Sequence, residues 1–248
     1  MSSKLTTGLI GGLCLMMLFI TPVQATQYDP PWAHNYDFNY DFLGKDTRPC
    51  ASNAANIQDI VGYDAYASTN SGAATAYNQL KDDAVFSFVG HGNYGGGGMW
   101  FYDGSDMSLI SALYHEVPEE QYSLSAMTTE LKDVKIAVYV GCKTGATHQD
   151  FGNLVDLSYT KGVDNVIGFA DDINCTAGKY WSDRFWQRCR TGWYGYPQKF
   201  QDAAIGAKTD VYVRWGDYGG IDSLYGKFFN IGGIPLDYLQ PAEYGRIG

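Results

Sequence analysis

The sequence predicts an α/β domain built on a mostly parallel sheet. Three observations predict it. Short apolar runs at residues 83–90, 134–140 and 165–170 are bounded by charge or glycine, as strands buried on both faces are. Helical stretches separate or follow them, the alternation that parallel sheets require. Two of the runs end beside glycine on a reactive side chain, His91 in one and Cys142 in the other.

The elements follow in order. Residues 26–52 carry Pro30-Pro31-Trp32 and a doubled Asn-Tyr-Asp-Phe at 35–42. They read as an extended aromatic strap over the core, since two copies of four residues are no solenoid. Residues 53–80 are Ala-rich with weak helical spacing, and 68–79 lead into a helix. The first apolar run, Asp83 to Gly90, then ends at His91-Gly92. Four glycines at 95–98 read as a flexible loop. Trp100-Phe101-Tyr102 before Asp103-Gly104 reads as a small strand and turn. Residues 105–130 are polar, with a helix expected just before the second run, which ends at Gly141-Cys142. Helices are expected at 151–161, 181–190 and 198–213, with Gly192 near a C-cap.

Composition narrows the function classes. The 248 residues are 45% hydrophobic and 18% charged, enough for one well-cored domain at residues 53–248. Twenty Tyr and thirty Gly suggest a loop-rich surface. A formal net charge of −10 repels phosphate backbones, so no nucleic-acid partner is expected. Residues 1–25 read as a signal peptide. Lys4 gives the basic start, Leu9 to Ile20 the apolar stretch, and Val23 and Ala25 the small-residue cleavage positions. A run of about 12 residues is short for a membrane span. A chain outside the cytoplasmic membrane, with no span once mature, is the expectation.

Cys14 would leave with that leader, and Cys50, Cys142, Cys175 and Cys189 remain. If Cys142 is kept as a thiol, at most one disulfide forms among the other three. Cys175 and Cys189 flank a helix of about 20 Å, beyond disulfide reach, so the partner of Cys50 would be Cys175 or Cys189.

His91 and Cys142 carry the chemistry. In an open α/β sheet, ligands bind outside the carboxyl ends of the strands. Neighbouring parallel strands would bring both residues to one edge, where an imidazole can serve a thiolate nucleophile. The amides of Gly92 and Cys142 are placed to form an oxyanion hole. His148, six residues past Cys142, is the fallback base, while His34 and His115 read as surface residues. Asp171 and Asp172 read as a solvated turn, a helix cap or a pocket wall. The glycine run lacks a following Gly-Lys-(Ser/Thr), so it is no phosphate cradle. No Gly-x-Ser-x-Gly elbow is present, and the His/Cys spacing fits no zinc pattern. No cofactor or metal is expected.

These residues resemble the caspase-like (clan CD) cysteine peptidases, most closely the CHAT and separase branch. The motifs are Phe88-Val89-Gly90-His91-Gly92, then Val138-Tyr139-Val140-Gly141-Cys142-Lys143-Thr144-Gly145, then Gly162-Val163-Asp164-Asn165-Val166-Ile167-Gly168. The 51 residues from His91 to Cys142 also match the caspase spacing. The resemblance covers residues 80–235. It implies a three-layer α/β sandwich, Cys142 as nucleophile, His91 as its base or electrostatic partner, and a peptide or protein substrate. It also implies that Asp172, or else Asp171, receives a basic P1 side chain. Gly141 stands where the family has Ala, and Asp171 stands where a Trp is usual, which bears on substrate preference. The expected function is a secreted cysteine endopeptidase. The rival is a catalytically inactive binding module that keeps the fold.

Overall fold

The structure is a computed structural model that describes residues 32–38, 46–128, 131–192, 195–216, 219–228 and 238–239. The leader and the second copy of the short repeat lie outside them. In chain order the elements are β1 (Trp32–Asp37), α1 (Arg48–Ile60), β2 (Asp64–Ser68), α2 (Ala73–Gln79), β3 (Val85–Val89) and β4 (Gly98–Tyr102). There follow β5 (Met107–Ser111), β6 (Glu120–Ser123), β7 (Ile136–Val140), α3 (Leu154–Thr160), β8 (Asn165–Phe169), α4 (Cys175–Thr191), α5 (Phe200–Trp215) and β9 (Leu224–Phe228).

The three apolar runs are three adjacent parallel strands of a six-stranded sheet ordered β2-β1-β3-β7-β8-β9. Only β9, at the edge, runs antiparallel, against β8. Every residue of β3, β7 and β8 is buried. Strand residues alternate between faces, and each face has its own core. Val85, Val89, Ile136, Val138 and Val140 meet α1, α4 and α5 through Ile57, Trp181, Phe185 and Phe200. Phe86, Phe88, Ala137 and Tyr139 meet the other layer through Ala76, Phe101, Ile110 and Leu154. The result is the expected three-layer sandwich.

α4 starts where the Asn174 side chain accepts the Thr176 amide, the usual role of an N-cap. It ends at Gly192, whose positive φ of 55° is tolerated by glycine. Arg184 and Arg188 of α4 both bond Asp210 of α5, at 2.7 Å. α4 is longer than its apolar spacing suggested and includes both Cys175 and Cys189.

Three expectations need correction. The aromatic strap is, over Trp32–Asp37, an interior strand paired on both sides. Its polar residues disguised it, but two of them are buried with partners: Asn35 and Gln58 exchange two hydrogen bonds, and His34 Nδ1 lies 2.7 Å from Asp83 Oδ1. His34 is therefore a buried residue and not a surface one. The polar stretch 105–130 holds β5 and β6, which with β4 form a second, three-stranded sheet. Its only helical turn among the described residues is the short Leu124–Ala126.

Candidate active site

β3 and β7 are paired in parallel with Val89 opposite Val140. The chain therefore leaves both strands at the same edge, with His91 two residues past one and Cys142 two past the other. Both line one cleft of about 370 Å3 with Phe38, Thr47, Ile173, Asn174, Cys175 and Lys179. Among the described residues no Tyr or Trp lines it. A larger cavity of about 650 Å3 opens beside α2, lined by Asp103, Asp106, Glu119 and Glu120. It has neither His nor Cys, so the smaller cleft is where the chemistry can sit.

Glycine permits the close approach of the two strand ends. A Cβ on Gly92 would fall 1.6 Å from the Cys142 carbonyl oxygen. Gly141 is also tight, with a Cβ there 3.0 Å from the Gly92 amide nitrogen. Among the described residues no other group takes up the amides of Gly92 or Cys142, apart from the Cys142 sulfur, which its own amide approaches. Thr144 fixes the turn after Cys142. Its hydroxyl donates to the Tyr139 carbonyl at 2.8 Å and accepts from the Phe169 amide at 3.1 Å. Lys143 takes a left-handed φ of 56°, a conformation costly outside glycine and common at functional sites.

The sulfur of Cys142 is turned towards the loop after β8. It accepts from the Ile173 amide at 3.4 Å and donates to the Ile173 carbonyl at 3.6 Å. That loop is itself held, by Lys143 N–H on the Asp171 carbonyl and by Asn174 N–H on the Gly219 carbonyl. His91 lines the same cleft, edge-on to the Phe38 ring at 4.8 Å. Burial pushes the Cys142 thiol above its ordinary pKa, helped by Asp172 and opposed by the Ile173 amide. Burial also pushes His91 below its ordinary value. At neutral pH the resting site thus holds a thiol and a neutral imidazole.

Asp171 and Asp172 are exposed beside the cleft and do not line it. The Asp172 carboxylate pairs with Lys143 Nζ at 3.1 Å, and Lys143 also sits over the Tyr94 ring. The formally charged group lining the cleft is Lys179, which donates to the Asp46 carbonyl. His148 accepts the Asp150 and Phe151 amides and is not a cleft residue. The glycine run at 95–98 is packed, not open: the Gly97 amide donates to Lys143, and a Cβ on Gly97 would lie 2.2 Å from the Gly152 carbonyl oxygen. Among the described residues no three His, Cys, Asp or Glu side chains gather as metal ligands would. No disulfide joins the described cysteines.

Phe38, Ile173 and Cys175 were not singled out by the sequence as parts of this site. The place of Phe38 follows from β1, whose polar pattern hid the strand. Ile173 acts through its backbone, which no side-chain motif reports.

Comparison with known proteins adds the fold. The crystal structure of the Arg specific cysteine proteinase gingipain R superposes with a TM-score of 0.52 at 11% identity, over 85% of this chain and 46% of that one. The fold is that of the caspase-like cysteine proteinases. The chain thus spans less than half the length of that proteinase. No family model matches the chain, and no curated protein matches it by sequence.

Proposed function

We propose that the protein is a cysteine endopeptidase, exported by its leader at residues 1–25, with His91 and Cys142 as the catalytic pair. One observation carries this reading: two adjacent parallel strands deliver an imidazole and a thiol to the same open cleft. The fold shared with a cysteine proteinase supports it.

Each residue then has a role. A bound peptide displaces the Cys142 sulfur from Ile173, and His91 takes its proton. The thiolate attacks the scissile carbonyl, and the oxygen gathers charge against the Gly92 and Cys142 amides. His91 returns the proton to the leaving amine. Water then cleaves the acyl-enzyme by the reverse sequence. Asp172 would receive a basic P1 side chain, which must take the place of Lys143 on its carboxylate.

One observation favours the rival reading of a binding module. The Cys142 sulfur is hydrogen-bonded to Ile173, and no hydrogen bond joins it to His91 among the described residues. Catalytic hydrogen bonds are often loose without substrate, so the open cleft weighs more. The test is covalent labelling by a peptidyl acyloxymethyl ketone. The peptidase reading requires labelling of the wild type that Cys142→Ala abolishes.

A further inference from the structure

The four described cysteines fall into two pairs by environment. Cys50 and Cys189 are 1% and 0% exposed. Burial pushes Cys50 up to about 12 and Cys189 well above the ordinary thiol range. The Cys50 thiol is also spent on the Lys179 carbonyl, at 3.8 Å. Thiols closed off from solvent in this way are out of reach of a reagent. Cys142 and Cys175 are both partly exposed, and both line the same cleft of about 370 Å3.

A backbone contact leads from one towards the other. The Cys142 sulfur bonds the backbone of Ile173, two residues before Cys175. The connecting loop is fixed at Asp171 and at Asn174. Cys175 is the first residue of the 17-residue α4, behind the cap at Asn174. The peptidase mechanism gives Cys175 nothing to do.

We propose that Cys175 is a second reactive thiol of the cleft and that it closes on an oxidised Cys142 as a reversible disulfide. The oxidant is a peroxide. The Cys142 thiolate attacks one peroxide oxygen, the O–O bond breaks, and the other oxygen leaves as alkoxide or hydroxide. Cys142 is now a sulfenic acid. The Cys175 thiolate attacks its sulfur, the S–O bond breaks, and hydroxide leaves and takes a proton to become water. Two thiols have lost two electrons, and the peroxide has gained them. An external thiol restores both by exchange. While it lasts, the bond removes the nucleophile from use and shields it from irreversible oxidation.

The test treats the whole folded protein with hydrogen peroxide and then maps it by mass spectrometry without reduction. The expected result is a Cys142–Cys175 cross-linked peptide pair, loss of iodoacetamide labelling at both positions, and full recovery after dithiothreitol. In Cys175→Ser the cross-link is absent, and Cys142 passes to the sulfinic acid, which dithiothreitol does not recover. A cross-link from Cys50 to either residue overturns the proposal. So does unchanged labelling of both thiols, or recovery of Cys142 in Cys175→Ser equal to the wild type. None of these readouts needs peptidase activity, so the proposal and the peptidase reading fail separately.

Discussion

Gly92 is the residue with the least freedom in the site. Any Cβ there meets the Cys142 carbonyl at 1.6 Å, a contact with backbone that no rotamer relieves. Gly92→Ala must therefore push the two strand ends apart and displace the Gly92 amide from the oxyanion position proposed for it. Loss of one such donor costs about a hundredfold or more in rate, so acyloxymethyl ketone labelling of Gly92→Ala should fall by about that factor. Labelling at the wild-type rate would remove Gly92 from the site. Lys143 and Asp172 form the other informative pair. The Asp172 side chain is 67% exposed, so its ion pair is worth only about 1 kcal/mol or less. Lys143→Ala frees the carboxylate, and cleavage after Arg should rise by about two- to fivefold, with Asp172→Ala removing the gain. Equal kcat/KM for P1-Arg peptides in all three proteins would contradict a basic subsite at Asp172.

At the scale of the element, β1 carries the cost of being a polar strand inside a sheet. Asp37 at its end is 1% exposed, and neither carboxylate oxygen has a hydrogen bond of good geometry. Burial, reinforced by Asp46 and offset by Arg48 and the Asn70 amide, raises its pKa from 3.8 to about 6. Below pH 4 the carboxyl is protonated whether the chain is folded or not, so it costs nothing. As the pH rises from 4 towards 6, the unfolded chain loses the proton first and folding becomes less favourable. Above 6 the full penalty is present. Asp37→Asn should therefore raise Tm by about 2–6 °C at pH 8 and hardly at all at pH 4. A gain that is equal at both pH values, measured by calorimetry, would rule out burial of charge as the cause.

Across the whole molecule, the parts legible in the sequence are those where one physical signal dominates. β3, β7 and β8 are buried on both faces and so read as continuous apolar runs. Their carboxyl ends name His91 and Cys142 because reactive residues there stand beside glycine. β1 was not legible, because His34 and Asn35, which break its apolar run, find their partners in the distant Asp83 and Gln58. β5 and β6 hid in a polar stretch for a related reason: they belong to a small accessory sheet with Glu120 and Met107 left exposed. The contact of Cys142 with Ile173 is between a sulfur and a backbone 31 residues away, which only the folded chain reveals.

Labelling with site mapping shows whether His91 and Cys142 work as a pair in one open cleft. A peptidyl acyloxymethyl ketone is applied to the wild type, His91→Ala and Cys142→Ala, each checked for folding, and the modified residue is located by mass spectrometry. The expected result is modification of the wild type at Cys142 alone, much slower modification of His91→Ala, and none of Cys142→Ala. Equal labelling of all three proteins, or labelling of the wild type at a residue outside the cleft, would contradict it.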